Sequence, residues 1–396
     1  NLLTFYSGAL WRLFLSYPFA TCQMPYSFTE KYQSMKFLFF LLTFSSITAF
    51  AQTLQPGFSK HEATQMLRLS ARVGTDTSYF TGDRYLPEPD GFTRVYRSKE
   101  MGLSNLWELW SSGLACVIHI RGTVGKSESW LANIYSAMVP ATGRFILAEQ
   151  DTFFYHLSDH PNAAVHTGWL LSTAYLSRDI LPRIDSCYQA GIQNFFITGH
   201  SQGGGITYML TAYLYGLQKE GKLPSDLRFK TYATAAPKPG NTYFAYSYEA
   251  QTKGWAFNIV SSADWVPEVP VSVQNISDIN EISPFPTVKE DIASKQKWPK
   301  RAVIKMAANR LIKPSEKARA NYIGLLGDRI TQEVQKTLPE FRKPEFYPSI
   351  HYVRTGQMVV LYAEGDYFEQ FPNDPEDVWK HHMHHPYLYL LDGYEP

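Results

Sequence analysis

The stretch NFFITGHSQGGGITYML, residues 194–210, constrains the fold more than any other part of the chain. An apolar run typical of a buried strand leads into Gly199-His200-Ser201-Gln202-Gly203, and a pattern typical of an amphipathic helix follows. Glycine tolerates a tight strand-to-helix turn in which a side chain would clash. We therefore predict that Ser201 projects from the sheet as a nucleophile, and that the Gln202 N–H stabilises an oxyanion at the helix start. The alternative is a glycine-rich turn that contains an incidental serine.

A nucleophilic serine requires a base, and the base requires an acid that orients it. In this type of fold the chain order is serine, acid, histidine. Asp264 lies in NIVSSADWVPEVP, after the apolar run Phe257–Val260 and before Pro267, so we expect it on a loop at the carboxyl end of a strand. We predict that Asp264 is the acid; the alternative is that it only caps this loop.

The histidines that follow Asp264 are few, and the base is expected among them. One is His351, and the others form a cluster in KHHMHHPYLYLL: His381, His382, His384 and His385. The residues alone leave the choice among these histidines open.

The same cluster raises the alternative of a metal site. His381 would share a helix face with His384 or His385 if the segment were helical. Pro386 disfavours a helical His385, and no cysteine or carboxylate cluster completes a ligand set. We therefore predict no metal and no other cofactor.

A second oxyanion donor is expected from the loop after an earlier strand. IHIRGTVGKSESW, residues 118–130, reads as such a strand and loop. The Thr123 N–H is our candidate donor, and Gly122 permits the close approach that it needs.

Strand patterns alternate with helix patterns along the chain, which predicts an α/β-hydrolase fold, with a mostly parallel sheet covered by helices on both faces. Residues 52–396 are expected to form one domain. Residues 271–345 differ, with two predicted helices (300–313 and 316–338) separated by proline, and are expected to be a helical insertion. The sheet pattern returns in SIHYVRTGQMVVLYAEGD, which predicts a hairpin.

Composition limits the class of protein further. The 396 residues are 44% hydrophobic and 18% charged, enough apolar material for a large core. The net charge of +1 argues against a nucleic-acid partner.

The segment MKFLFFLLTFSSITAFAQ predicts a secretory signal peptide over 35–51. Lys36 precedes an apolar run that is too short for a membrane span, and cleavage after Ala51 would leave Gln52 as the mature N-terminus. Residues 1–34 are then an upstream extension outside the fold, and the protein is expected to be secreted or periplasmic. The alternative is a buried N-terminal helix. Export permits disulfides, but Cys116 and Cys187 do not make a disulfide framework.

These motifs together resemble the class 3 (fungal-type) lipase family. VIHIRGTVGKSESWLANI resembles the family's oxyanion loop, AVHTGWLLSTAYL the entry to its next helix, and FFITGHSQGGGIT its nucleophile turn. YATAAPKPGNTYFA and NIVSSADWVPEVP are similar to two further family blocks, although Lys238 stands where an arginine is usual. The resemblance covers about residues 94–270 and 346–391.

The resemblance implies that Ser201, Asp264 and a histidine five residues before a Tyr-Leu pair form a catalytic triad, with Thr123 and Gln202 as oxyanion donors. Tyr387-Leu388 makes that histidine His382, and His384 is the second candidate. The implied function is a secreted serine ester hydrolase, most specifically a triacylglycerol lipase that acts on lipid esters at an oil–water or membrane interface. Alternatives are a phospholipase, a short-chain carboxylesterase and a catalytically silent surface-binding protein.

Two further segments have open interpretations. The resemblance places a lid in the region that includes Phe145–Leu147 and Phe153–Tyr155, but a plain core segment fits these apolar residues equally. The stretch 295–320, with nine basic residues and one acidic residue, fits either a lipid-docking helix or a solvated helix face.

Overall fold

A seven-stranded sheet organises the computed structural model, which describes residues 54–73, 86–283 and 294–395. The described residues from Leu54 onward form one compact unit. The predicted upstream extension 1–34 and the predicted signal peptide 35–51 lie outside the described residues.

The strands follow one another in chain order as β1 (Thr93–Arg97), β2 (Trp107–Ser111), β3 (Cys116–Ile120), β4 (Met138–Pro140), β5 (Thr142–Ala148), β6 (Asp151–His156), β7 (Ala164–His166), β8 (Asn194–His200), β9 (Arg228–Thr234), β10 (Ala256–Ser261) and β11 (Gln357–Leu361). The central sheet has the order β1-β2-β3-β8-β9-β10-β11. Within this sheet, β1 pairs with β2 and β2 with β3 in antiparallel fashion. The neighbouring pairs β3–β8, β8–β9, β9–β10 and β10–β11 are parallel. The mostly parallel sheet predicted from the sequence is therefore confirmed.

Helices connect and cover the strands: α1 (Lys60–Ala71), α2 (Ser127–Ile134), α3 (Thr167–Gln189), α4 (Gln202–Lys219), α5 (Thr242–Gln251), α6 (Lys300–Ile323), α7 (Ile330–Thr337), α8 (Asp366–Gln370) and α9 (His384–Asp392). None of the helices in the described residues is long and apolar enough to cross a membrane.

The sheet separates two apolar layers, as the buried strands require. The larger layer packs α3 and α4 against residues such as Ile118 and Ile197. The smaller layer packs α1 and α9 against the other face, where Val117 and Phe257 are buried. Both faces are covered, so strands such as β8 are buried along their whole length.

Glycines allow α4 to start directly against the sheet. A Cβ at Gly203 would overlap the carbonyl oxygen of Ile120, and one at Gly199 would overlap the backbone of Gly203. The backbones of β3, β8 and α4 therefore approach more closely than side chains would permit. This approach brings the loop after β3 beside Ser201.

The predicted hairpin over 349–366 is wrong. Only β11 forms there, and it pairs in parallel with β10, so it extends the central sheet at its edge. The preceding residues make isolated bridges to distant segments, Ile350 to Val273 and Val353 to Gly240. The apolar pattern identified a strand but could not identify its partner.

The predicted break between two helices at 314–315 is also wrong, because α6 continues through Pro314 to Ile323. Pro314 is solvent-exposed. Water can therefore satisfy the helix carbonyl that loses its N–H partner at this proline. A six-residue π-helical segment, Gly324–Arg329, then joins α6 to α7.

The segment 145–155, for which a lid was one of two interpretations, forms a hairpin with one side packed in the core. β5 and β6 form an antiparallel hairpin, with the side chains of Phe145, Leu147, Phe153 and Tyr155 buried. Phe145 packs edge-on against Phe341, which follows α7. Four of the six apolar residues therefore pack in the core, as the core interpretation expects, whereas Phe154 is 63% exposed.

Candidate active site

Ser201 occupies a strained turn between β8 and α4. Its backbone has φ 60° and ψ −127°, a region that side chains other than glycine rarely adopt. The Ser201 N–H donates to Thr234 O at 3.0 Å, and its carbonyl accepts from the Gly205 N–H at 3.0 Å. The turn is thus held at both ends while its side chain faces a cavity.

Asp264 is a buried carboxylate with three hydrogen-bond donors. Its Oδ2 lies 2.8 Å from His382 Nδ1 and 2.7 Å from the Tyr387 hydroxyl, and its Oδ1 accepts from the Val266 N–H at 3.0 Å. Burial, followed by the charge of Asp264, raises the pKa of Tyr387 well above its usual value, which keeps the hydroxyl protonated as a donor. The carboxylate fixes one imidazole nitrogen of His382 as N–H.

The other nitrogen of His382, Nε2, is buried and has no hydrogen-bond partner among the described residues. Because Nδ1–H points to the carboxylate, Nε2 carries a lone pair. His382 and Ser201 line the same cavity. The structure therefore brings two of the predicted triad residues, Ser201 and His382, to one cavity and holds the third, Asp264, behind His382.

The remaining candidate histidines have other surroundings. His384 Nε2 lies 3.2 Å from Ser70 Oγ, and its ring stacks on His200 with centroids 4.3 Å apart. His381 contacts Tyr367 and Asn373 through its two nitrogens. His351 lies 3.4 Å from Thr242 Oγ1. Among these residues, His382 is the histidine held against Asp264.

His200, beside Ser201, holds the loop of His382. Its Nε2 donates to the carbonyl oxygen of His382 at 2.7 Å, and its Nδ1 lies 3.0 Å from Thr234 Oγ1. Since a carbonyl only accepts, Nε2 carries the proton and Nδ1 accepts from the threonine. This hydrogen bond joins residues 182 positions apart in the chain, so it is visible only in the fold.

The two predicted oxyanion donors lie close to the same turn. Gly122 passes so near that a Cβ there would lie 3.7 Å from Ser201 Cβ. Thr123 follows it and lines the cavity together with Gln202. Neither the Thr123 N–H nor the Gln202 N–H is used in a backbone hydrogen bond to described residues.

Asn133, which sequence reasoning missed, connects these two residues. Its Nδ2 donates to Thr123 Oγ1 at 2.9 Å, and its Oδ1 accepts from Gln202 Nε2 at 3.0 Å and from Trp169 Nε1 at 3.2 Å. Gln202 Nε2 also donates to Ser129 O at 2.8 Å. The side chain of Asn133 therefore holds Thr123, in the loop after β3, close to Gln202 at the start of α4. In the sequence, the only feature that marks Asn133 is its place one helical turn after Trp130.

The cavity that contains these groups has a volume of about 610 Å³ and a largely apolar wall. Trp130, Trp265 and Trp379 form an aromatic rim, with ring centroids of Trp379 lying 6.1 Å from Trp130 and 4.9 Å from Trp265. Trp169 and Val269 line the interior. Such a wall suits an apolar chain next to the polar site.

The structure also addresses the metal alternative for the histidine cluster. No group of three or more histidine, cysteine, aspartate or glutamate side chains in residues 54–73, 86–283 and 294–395 is arranged to hold a metal ion.

Parts of this chain are similar to known proteins. Residues 117–274 match the family model Lipase (class 3). The secreted mono- and diacylglycerol lipase 1 of Fusarium solani is 32% identical over 107 residues, a match that covers 27% of this chain and 29% of the relative's length. The family match confirms the resemblance of this segment to class 3 lipases, and the chain has the α/β-hydrolase fold.

Solved structures that are similar to part of this chain include the native Rhizomucor miehei lipase propeptide complex. It is 22% identical, with a TM-score of 0.38, over 55% of this chain and 65% of that one. The lipase from Rhizopus microsporus var. chinensis is 19% identical, with a TM-score of 0.39, over 55% of this chain and 71% of that one.

Three buried histidines make the fold sensitive to acid. Burial is the main cause that lowers the pKa of His119, His166 and His200 to about 3, and nearby His200 and Arg97 contribute to this shift at His119. When the pH falls below about 6.5, the usual pKa of histidine, these imidazoles become protonated in the unfolded chain. In the folded chain they stay neutral until the pH approaches 3. Stability therefore falls as the pH drops from 6.5 toward 3.

We expect each histidine to remove about 2 kcal/mol from the free energy of unfolding between pH 7.5 and pH 5. Urea unfolding at these two pH values measures the loss. His119→Leu removes one of these imidazoles. The free energy of unfolding of this variant should therefore fall by about 2 kcal/mol less than that of the wild type between pH 7.5 and pH 5. Equal free energies of unfolding at both pH values for the wild type would contradict the prediction.

Proposed function

We propose that this chain is a serine hydrolase of carboxylic esters that uses Ser201, His382 and Asp264. The observation that carries the proposal is the imidazole of His382, bound to Asp264 through Nδ1 while its unpartnered Nε2 belongs to the cavity of Ser201. The strained turn at Ser201 adds support, since strained backbone is frequent at catalytic nucleophiles.

In the proposed mechanism, His382 Nε2 takes the proton of Ser201 Oγ as that oxygen attacks the ester carbonyl carbon. Asp264 stabilises the imidazolium that results. The proton then passes to the leaving alcohol, and an acyl group remains on Ser201. A water molecule that gives its proton to His382 attacks the acyl carbon, and the bond to Ser201 Oγ breaks. His382 returns the proton to Ser201 Oγ, which releases the acid and restores the free enzyme. No cofactor takes part in this mechanism.

The N–H groups of Thr123 and Gln202 are proposed to bind the oxyanion of each tetrahedral intermediate. The Gln202 N–H lies at the start of α4, where the helix dipole favours a negative charge. Asn133 is proposed to keep Thr123 and Gln202 in place, because its side chain contacts both.

The apolar cavity and the relatives favour lipid esters as the substrate class. The Fusarium relative is described as a mono- and diacylglycerol lipase, and we propose a triacylglycerol lipase acting at an oil–water or membrane interface. A phospholipase or short-chain carboxylesterase would share the same groups and differ in the chain that fits the cavity. A catalytically silent surface-binding protein is the non-enzyme alternative.

Hydrolysis of p-nitrophenyl esters of graded chain length tests the proposal. We expect Ser201→Ala and His382→Ala to lower kcat roughly 10³-fold or more, because the nucleophile and base act as a unit. His384→Ala is the matched control and should keep kcat within about tenfold of the wild type. Urea unfolding of each variant verifies that it is folded.

Other results would exclude the triad. Full activity in Ser201→Ala, or no activity of the wild type at any chain length, contradicts the proposed mechanism. Activity retained in His382→Ala but lost in His384→Ala would move the base to His384. Activity abolished by a chelator would favour the metal alternative.

Export is proposed together with the function. Residues 35–51 would be removed, and 52–396 would form a single α/β-hydrolase domain with a helical insertion at about 271–345. We expect protein recovered from the medium or periplasm to begin at Gln52 when its N-terminus is sequenced. An N-terminus well before Gln52 would contradict cleavage after Ala51.

A further inference from the structure

Two cysteines that are far apart in the chain meet between β3 and α3. Cys116 Sγ lies 3.6 Å from Cys187 Sγ, although 71 residues separate them. Cys116 is the first residue of β3 and is 1% exposed, whereas Cys187, in the last turn of α3, is only partly buried. Both are free thiols in this structure.

We propose that this pair is an oxidation site that forms a Cys116–Cys187 disulfide in contact with a disulfide oxidant such as glutathione disulfide. The sulfur atoms are already neighbours, so closing the bond requires only a small local movement. The bridge would attach the end of α3 to the start of β3, the strand that leads into the loop of Thr123.

The surroundings give the two thiols different roles. The hydrogen bond from Cys116 and the positive charge of Arg183 lower the pKa of Cys187 to about 7. The hydrogen bond to Cys187, together with burial, raises the pKa of Cys116. Cys187 is therefore the more accessible sulfur and the one that more readily becomes a thiolate.

The exchange then proceeds in two steps. The Cys187 thiolate attacks one sulfur of glutathione disulfide, which forms a mixed disulfide and releases one glutathione thiolate. The Cys116 sulfur attacks the Cys187 sulfur, which forms the bridge and breaks the bond to glutathione. The proton of Cys116 passes to the departing glutathione sulfur, which leaves as the second thiol. Two protein thiols are oxidised, and one glutathione disulfide is reduced to two glutathione thiols.

Thiol titration and peptide mapping test the bridge on the full chain carrying Cys22→Ser, which leaves Cys116 and Cys187 as the only thiols. After treatment with glutathione disulfide, we expect no free thiol and a 116–187 linked peptide two hydrogens lighter than the reduced pair. Cys116→Ala should retain glutathione at Cys187. Cys187→Ala should keep a free Cys116, because that thiol is buried.

The oxidised protein should melt several degrees above the reduced protein, about 2–8 °C higher, and Cys116→Ala should not show this difference. Two free thiols after oxidation of the folded protein would overturn the proposal. A glutathione adduct that persists on Cys187 while Cys116 stays free would overturn it as well.

A different observation concerns α6, which carries an unpaired basic face. Val303, Met306, Arg310, Lys313 and Lys317 recur every three or four residues, so they lie along one side of the helix, and all five are exposed. We call these five residues the α6 stripe.

The basic segment around the stripe lacks counter-charges. None of its nine cations, residues 295–319, forms an ion pair with a described carboxylate. Trp298, just before α6, is 82% exposed. The other end of α6 is anchored, since the Tyr322 hydroxyl lies 2.7 Å from Ser136 Oγ. The stripe is therefore a fixed cationic surface with apolar side chains at one end.

We infer that the α6 stripe docks on an anionic phospholipid bilayer. Arginine and lysine would meet lipid phosphates, and Val303, Met306 and Trp298 would enter the headgroup boundary. The inference deepens the proposed function, because it names the surface on which a lipid ester hydrolase would work. Its test does not depend on hydrolysis.

Co-sedimentation with vesicles tests the docking, with Ser201→Ala used to keep the lipid intact. We expect binding about tenfold or more stronger to vesicles that contain phosphatidylglycerol than to phosphatidylcholine alone. Adding Arg310→Glu, Lys313→Glu and Lys317→Glu should abolish that difference. The matched control adds Lys99→Glu, Arg144→Glu and Lys253→Glu, three exposed sites outside α6 with the same charge change, and should keep it.

Equal binding to both vesicle types would overturn the inference, as would an equal loss in the two triple variants. The α6 triple variant without Ser201→Ala should hydrolyse a soluble short-chain ester at the wild-type rate. If Ser201→Ala with an intact α6 stripe shows no preference for phosphatidylglycerol vesicles, while the wild type hydrolyses the soluble ester, the docking surface is rejected and the proposed hydrolase stays intact.

Discussion

The buried carboxylate of Asp264 is the group on which the candidate site depends. Its hydrogen bonds reach His382 and Tyr387, which lie 118 and 123 residues later in the chain. A carboxylate that is 3% exposed is stable as an anion only when such donors replace water. The need to satisfy this charge therefore ties the end of β10 to the C-terminal helix α9.

Close backbone packing supplies the second half of the site. Gly199 and Gly203 let the start of α4 press against β3 and β8, and the strained Ser201 lies at that junction. His200 then joins this junction to the loop of His382 through the carbonyl of His382. The imidazole of His200 thus connects the turn at Ser201 with the loop of His382, and its burial favours the neutral form of the ring.

Local patterns predicted the elements well where one segment contained the whole signal. The strand, turn and helix around Ser201 could be predicted because the glycine pattern and the apolar periodicity lie in adjacent residues. The hairpin at 349–366 could not, since a strand pattern does not specify its partner and β11 pairs with β10 instead. The apolar residues of 145–155 likewise fit a lid or a core, and only contacts such as Phe145 with Phe341 distinguish the two.

The sequence by itself determined the fold class and the order of serine, acid and histidine, because these depend on local turn chemistry and chain order. Only the tertiary structure decided which imidazole meets Asp264. His382 and His384 are two residues apart and both line the cavity. They belong to different elements, however, because His382 ends the 3₁₀ turn Lys380–His382 and His384 begins α9. His382 faces the carboxylate, and His384 stacks on His200. That direction arises from packing between distant segments, which no local pattern encodes.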